Sequence, residues 1–167
     1  MDKEENIQNK NKEYYKKKVV HLLLIHGYLI FFLAVILGFV VDLFIDVKLF
    51  QNHIYSQLGI ILIMIGTTFI YWAQTASGNA GKIKNDESSV EGFRYGPYKY
   101  FRHPTYLGLF MMTLGLGLIL NSLFAVIFVI IAFIIIKFFF IKKEEKILEI
   151  KYKEVYSEYK KKVKNWL

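Results

Sequence analysis

Long runs of uncharged residues alternate with short charged segments along this chain. No Asp, Glu, Lys or Arg occurs in residues 19–41, 49–81 or 103–136. A helix that rises about 1.5 Å per residue needs roughly 20 apolar residues to cross a hydrocarbon core about 30 Å thick. Windows of this length are typical of membrane-spanning helices and exclude the core of an ordinary soluble domain.

The pattern predicts an all-α integral membrane helical bundle with about four transmembrane helices, in one domain covering residues 1–167. The third window has 34 residues, which is too many for one helix and enough for a C-terminal helical hairpin that turns at Asn121-Ser122. The predicted elements are spans at residues 19–41, 54–73, 106–120 and 123–141, a polar loop at 74–105 and an amphipathic tail helix at 142–163.

The basic residues are distributed unevenly around these spans. Of 22 Lys and Arg residues, six precede the first span, five lie in the 74–105 loop and ten follow from Lys137 onward, whereas only Lys48 lies between the first two spans. Short flanks rich in Lys and Arg stay in the cytoplasm. We therefore expect both termini, the loop and the tail on the cytoplasmic side, with the first span retained as an anchor. The membrane is either a bacterial inner membrane or the endoplasmic reticulum.

The composition of the chain limits the binding partners and the kinds of site that we expect. Hydrophobic residues make up 54% of the chain, and the net charge is +8 with no cysteine. Because the basic residues flank the spans, we expect them to meet anionic lipid head groups and not nucleic acid. Without cysteine there is no disulfide or thiolate site. His21 and His26 are five residues apart and not four, so they do not share a helix face, and no metal site is predicted.

Both prolines of the chain fall in one segment, Tyr95 to Gly108, which also holds four tyrosines, an Arg and a His. Pro104 suits the first turn of a helix, where its missing N–H leaves no bond unmade. Arg102 and His103 are thus predicted at a helix N-terminus, whose free N–H groups and partial positive charge favour an anionic group. The same residue types also suit simple anchoring at the head groups, and the residue types alone leave both interpretations open.

The predicted tail helix begins with a carboxylate on an apolar stripe. The stripe repeats at spacings of 4, 4, 3 and 4 residues and consists of Glu144, Leu148, Tyr152, Val155 and Tyr159. A carboxylate on such a face needs a basic partner or a ligand, because an unpaired buried charge is costly. The alternative is a favourable interaction with the N-terminal helix dipole. That alternative fits Glu145, at the edge of the face, better than Glu144.

Two blocks of residues carry a family resemblance. The first contains Gly96-Pro97-Tyr98 and Arg102-His103-Pro104-Thr105-Tyr106-Leu107-Gly108, and the second contains Glu144-Glu145, Leu148, Tyr156, Tyr159 and Val163. Together, at this separation, they resemble the isoprenylcysteine carboxyl methyltransferase family and its phospholipid methyltransferase relatives. The resemblance covers about residues 70–167.

The resemblance implies transfer of a methyl group from S-adenosylmethionine to a lipophilic acceptor from the bilayer, at the cytoplasmic membrane face. The acceptor is either an isoprenylcysteine-type carboxylate or a lipid head group, and the sequence determines neither its identity nor the oligomeric state. The residues that the resemblance assigns to cofactor binding are Phe93, Tyr98, His103, Pro104, Thr105, Tyr106 and Glu144. Arg102 and Glu144 are the candidates for a catalytic role.

The chain departs from the family pattern at three places in its C-terminal part. Phe140 stands four residues before Glu144, in a region where the family often has an Arg that would hold a substrate carboxylate. Tyr152-Lys153 stands where the family usually has Phe-Gly, and Lys164 stands where it usually has a proline. The first departure weakens the expectation of a carboxylate acceptor.

Two other functions share part of these features. Membrane sterol reductases, which use NADPH, have a similar His-Pro-x-Tyr block, but they typically have Asn at the position of Thr105 and Glu at that of Leu109. A non-enzymatic scaffold that binds anionic lipid would account for the spans and the charges. It would not account for Glu144 on an apolar face or for the dense loop motif, so the methyltransferase is the favoured interpretation.

Overall fold

The computed structural model describes the backbone of residues 2–45, 54–80 and 93–163, and side chains within 22–45, 54–77 and 93–163. No β-strand occurs in these ranges, and the predicted all-α class is confirmed for them. The helices are α1 (Asp2–Ile45), α2 (Ile54–Ala80), α3 (Pro104–Ile119), α4 (Leu123–Ile135) and α5 (Lys142–Lys162), with a 3₁₀ helix at Gly96–Lys99 and a π-helical stretch at Ile136–Ile141.

Three helical segments in the described part of the chain are long and apolar enough to cross a membrane. They are Leu22–Ile45, Ile54–Ser77 and Leu123–Lys162, and α3 is a shorter apolar helix. Large apolar side chains face outward on these helices; Phe32 is 59% exposed and Phe44 is 85% exposed. Such surfaces are unfavourable in water and suit lipid, so the protein is a membrane protein.

The helices extend beyond several predicted boundaries. α1 and α2 continue past the predicted ends at residues 41 and 73, so the predicted loop begins as helix up to Ala80. α4 continues through the π-helical stretch into α5, because residues 123–163 contain no Gly or Pro that would stop a helix. Residue 141 therefore marks a change from apolar to charged side chains and is not the end of a helix.

The chain reverses between α3 and α4 at Asn121-Ser122. Asn121 has a φ of 51°, a left-handed conformation that Asn tolerates better than most residues. The Ser122 side chain caps α4 by accepting a hydrogen bond from the Ala125 backbone N–H at 3.0 Å. The same hydroxyl donates to a carboxylate oxygen of Asp42, which ties the turn to α1.

α2 and α3 lie antiparallel in very close contact, because glycines face each other at the crossing. A Cβ atom on Gly66 would lie 2.5 Å from the backbone oxygen of Gly108, and one on Gly59 would lie 2.6 Å from that of Gly115. Small residues let membrane helices approach at their backbones. This contact fixes where α3 begins relative to α2, and thereby sets the position of the residues around Pro104.

The tail helix predicted over 142–163 is present as α5, but it bends back on itself at Lys153. Lys153 has φ 47° and ψ −124°, outside the helical region. In a straight helix residues 145 and 160 would be about 22 Å apart, but Lys160 Nζ lies 3.0 Å from Glu145 Oε2. The predicted apolar stripe is interrupted at the bend, and Tyr159 does not continue the face that carries Glu144.

The bend leads to the first prediction, Lys153→Gly. A positive φ with this ψ strains any residue that has a Cβ, and strain of this kind costs on the order of 1–3 kcal/mol. We expect the glycine variant to melt at a higher temperature than the wild type in detergent, since the relief of strain exceeds the entropy that glycine adds to the unfolded chain. Lys153→Ala is the control, and a melting temperature raised equally by both variants would contradict the strain.

Candidate cofactor site

A cavity of about 570 Å³ opens at one end of the helical bundle. It lies where the 3₁₀ helix, the start of α3 and the first half of α5 meet α1 and α2. Small-molecule sites typically have volumes of roughly 300–1,000 Å³. The cavity is therefore large enough for a cofactor.

Most of the residues that the sequence predicted for the site line this cavity. They are Tyr98, Arg102, His103, Pro104, Thr105, Tyr106 and Glu144. Phe93 is not among the lining residues. Its ring instead packs against those of Tyr152, Tyr156 and Tyr159, with centroids 4.7, 5.6 and 5.5 Å away. Phe93 thus joins the loop to α5 and does not face the cavity.

α2 supplies a wall of the cavity that the sequence did not predict. Ala73, Gln74 and Ser77 of this helix line the cavity. Residues 74–77 had been predicted as part of the loop, and the helix that carries them continues to Ala80. The signal that was available is the lack of any Gly or Pro between Thr67 and Ser77, which lets the helix continue.

The N-terminus of α3 forms a second wall. The helix begins at Pro104, as the sequence predicted, and the buried His103 precedes it with φ −130° and ψ 59°. The first main-chain bond of this turn joins the Leu107 N–H to the His103 oxygen at 3.3 Å. The N–H groups of Thr105 and Tyr106 come before it and have no intrahelical acceptor. This wall favours an anionic group such as a carboxylate.

Behind this wall, the buried Glu145 is the centre of an ion cluster. Its Oε1 lies 2.9 Å from an Arg102 guanidinium nitrogen and 3.2 Å from His103 Nε2, while its Oε2 lies 3.0 Å from Lys160 Nζ. Lys160 also pairs with Glu149 at 2.8 Å. We call these five residues the tail ion cluster. It connects Arg102 and His103, which precede α3, to both halves of the bent α5.

The electrostatics of Glu145 follow from these contacts. Burial by itself would raise the pKa of the Glu145 carboxyl. The hydrogen bonds from His103 and Lys160 and the charge of Arg102 outweigh that effect and lower the pKa to about 2. The carboxylate is therefore ionised at any physiological pH. Arg102, one of the two catalytic candidates, directs a nitrogen at this carboxylate.

The prediction that Glu145 interacts with a helix dipole is wrong. Because α4 continues into α5 through the π-helical stretch, no helix N-terminus exists near residue 145. The residue is buried and contacts Arg102, His103 and Lys160 instead. The adjacent pair Arg102-His103 was the available signal, since two neighbouring basic groups at a buried position require a carboxylate partner.

Glu144 has a different environment, although it is the adjacent residue. Its Oε2 is buried without a hydrogen-bond partner among the described residues, and it lies 3.9 Å from His103 Nδ1. The buried Tyr106 hydroxyl, also in the cavity wall, has no hydrogen-bond partner in the described structure either. Burial raises the pKa of the Glu144 carboxyl, and the charge of His103 opposes this. The Tyr106 hydroxyl also interacts with the Glu144 carboxyl and opposes the rise in its pKa. Glu144 Oε2 and this hydroxyl have no other hydrogen-bond partner among the described residues.

The sequence of this chain is similar to those of known proteins. The family model for phospholipid methyltransferases matches residues 54–155. The protein-S-isoprenylcysteine O-methyltransferase of Saccharomyces cerevisiae (strain ATCC 204508 / S288c) is 35% identical over 132 residues, covering 72% of this chain and 54% of that protein. The chain spans about half the length of this curated relative. No solved structure matches the present chain significantly.

Proposed function

We propose that this chain, which belongs to the phospholipid methyltransferase family, transfers a methyl group from S-adenosylmethionine to a lipophilic acceptor. The observation that carries the proposal is the cavity at the end of the bundle. In its wall, Glu144 Oε2 and the Tyr106 hydroxyl have no hydrogen-bond partner among the described residues apart from their interaction with each other. Buried polar groups are almost always hydrogen-bonded in native proteins. A ligand with an ammonium group or hydroxyl groups would complete these two.

The residues of the cavity fit S-adenosylmethionine in three places. The N-terminus of α3 would bind the carboxylate of the methionine part. Glu144 would accept hydrogen bonds from the ammonium group or from the ribose hydroxyls. The rings of Tyr98 and Tyr106 would pack against the adenine or the sulfonium. When bound, the cofactor supplies a methyl group that is already activated by the positive sulfur.

Because the methyl group is already activated, the protein has little acid–base work to do. The role of the cavity is to orient the donor and the acceptor and to exclude water from them. Thr105 and Tyr106, which line the cavity at the start of α3, would orient the donor from one side, and Glu144 of α5 would orient it from the other. A site of this kind needs groups that hold the donor in place and does not need a general acid or base.

The acceptor is proposed to reach this cavity from the bilayer. Four crossings, with α3 as the short one and the tail outside the membrane, would place the cavity at the cytoplasmic face together with both termini, in the endoplasmic reticulum or a bacterial inner membrane. Two acceptor classes fit, an isoprenylcysteine-type carboxylate and a lipid head group. The apolar Phe140 provides no positive charge for a carboxylate, which favours the head group.

Calorimetry on the purified protein tests the cofactor, and methyl transfer tests the reaction. We expect S-adenosylmethionine to bind and to raise the melting temperature. Labelled methyl groups should then appear in a phospholipid or in an isoprenylcysteine analogue, each offered separately. Absence of S-adenosylmethionine binding would refute the proposal. A melting temperature raised by NADPH and not by S-adenosylmethionine would indicate a reductase instead.

A further inference from the structure

Lys160 lies outside the cavity but is bonded to the residue that supports the cavity wall. Its Nζ lies 3.0 Å from Glu145 Oε2 and 2.8 Å from Glu149 Oε1. Both partners come before the bend at Lys153, whereas Lys160 comes after it. These two ion pairs therefore bridge the two halves of α5. The Lys160 side chain is 29% exposed, so it can be replaced without opening the core.

Glu145 transmits this contact to the cavity through His103. A carboxylate accepts and cannot donate hydrogen bonds when ionised, so His103 Nε2 donates to Glu145 Oε1 at 3.2 Å. The ring is thereby fixed with Nδ1 directed toward Glu144, 3.9 Å away. Lys160 holds the other oxygen of Glu145. Removal of Lys160 would leave the carboxylate held through Oε1 alone, by Arg102 and His103, so that its orientation toward His103 is less fixed.

The end of α5 has a second connection to the cavity. The Tyr159 hydroxyl donates a hydrogen bond to the backbone oxygen of Tyr98 at 2.9 Å. Tyr98 lines the cavity, and Tyr159 is the residue immediately before Lys160. The position of the bent-back segment therefore affects two walls of the cavity, one through His103 and one through Tyr98.

We infer that Lys160 is a positioning residue for cofactor binding. By pairing with Glu145 and Glu149 it holds the end of α5 bent back, and so keeps His103 and Tyr98 in the geometry that binds the cofactor. The inference rests on the proposed function of the cavity as an S-adenosylmethionine site. If only a fraction of the molecules holds this geometry, the apparent dissociation constant equals the intrinsic constant divided by that fraction. Saturating cofactor restores the full rate.

Calorimetry and kinetics on the full chain test this role. We expect Lys160→Met to raise the dissociation constant and the KM for S-adenosylmethionine about tenfold, with kcat at saturating cofactor nearly unchanged. Lys160→Arg keeps the ion pairs and should restore the wild-type constants. Lys162→Met, an exposed residue of the same charge in the same turn, is the matched control and should behave as wild type. A lowered kcat with unchanged affinity would overturn the inference, as would wild-type affinity in Lys160→Met.

A distance measurement without cofactor gives an independent readout. Because the chain has no cysteine, spin labels can be placed at Lys146→Cys and Lys161→Cys alone. In a straight helix these positions would be about 22 Å apart. We expect the distance between the two labels to be shorter than this in the otherwise wild-type chain. When Lys160→Met is added, the mean distance should increase and the distance distribution should broaden. An unchanged distribution would overturn the role of Lys160. If the wild type binds no S-adenosylmethionine while the distances respond as expected, the proposed function fails and the contact of Lys160 stands.

Discussion

Replacing Glu145 by Ala is expected to lower the free energy of unfolding by about 3 kcal/mol, the cost of breaking a buried ion pair such as that between Glu145 and Arg102. The carboxylate faces Arg102, His103 and Lys160 at distances of 2.9 to 3.2 Å. Without it, the positive groups of Arg102 and Lys160 would repel each other in a poorly hydrated site. Equilibrium unfolding of the purified protein in detergent measures the change.

Glu154→Ala is the matched control for this variant. Glu154 is an exposed carboxylate of the same helix, and exposed ion pairs contribute at most about 1 kcal/mol. We therefore expect its removal to change stability little. Equal losses in the two variants would contradict the assignment of Glu145 as the centre of the tail ion cluster.

The stability contributed by Glu145 should also depend on pH. Its pKa of about 2 in the folded protein lies below its ordinary value of 4.5. The stabilisation is therefore complete above pH 4.5 and is lost as the pH falls through 2. Melting curves of the wild type and Glu145→Ala, recorded between pH 7 and the lowest pH at which both stay soluble, should converge below pH 4.5. A difference in melting temperature that stays constant across this pH range would show that the ion pairs of Glu145 are not the source of the stabilisation.

Replacing Glu144 by Gln is expected to have the opposite signature from replacing Glu145. We expect the affinity for S-adenosylmethionine to fall roughly 30- to 100-fold, because one charge-assisted hydrogen bond worth about 2–3 kcal/mol is lost. The melting temperature should not fall, since Glu144 Oε2 is buried with no hydrogen-bond partner in the described part of the chain. Neutralising such a group removes a desolvation cost.

Calorimetry together with thermal melting measures both parts of this prediction. The control is Glu149→Gln, which alters a carboxylate that lies on the same half of α5 and does not line the cavity. It weakens one of the two ion pairs of Lys160, so a small loss of affinity is expected there and a large one only in Glu144→Gln. Wild-type affinity in Glu144→Gln would remove Glu144 from the cofactor site.

Local sequence features accounted for much of the fold. The charge-free windows located the apolar helices, because the length of a membrane span is set by the thickness of the hydrocarbon core. The start of α3 at Pro104 followed from the restricted φ and missing N–H of proline. The reversal of the chain at Asn121-Ser122 coincides with the two polar residues that interrupt the longest apolar run. Each of these features depends on only a few neighbouring residues.

The bend of α5 at Lys153 could not be read from the sequence in the same way. The residues around it are good helix formers, and neither Gly nor Pro marks a break. The bend is stabilised by contacts between distant residues, including the pairs of Lys160 and the packing of Phe93 on Tyr156 and Tyr159. A pattern that assumes one continuous helix therefore placed Val155 and Tyr159 on a face that does not exist.

The amino-acid sequence by itself determined the class of this protein, a helical membrane protein, and the segments that carry its polar chemistry. These properties follow from hydropathy, proline geometry and residue types along the chain. Only the tertiary structure decided that Glu145 forms the ion pairs and that the adjacent Glu144 faces the cavity. That choice depends on where the start of α3 and the bent α5 bring Arg102, His103 and Lys160 around Glu145. Arg102 and His103 lie 43 and 42 residues before Glu145 in the chain and Lys160 lies 15 after it, so these side chains meet only through the packing and bending of whole helices.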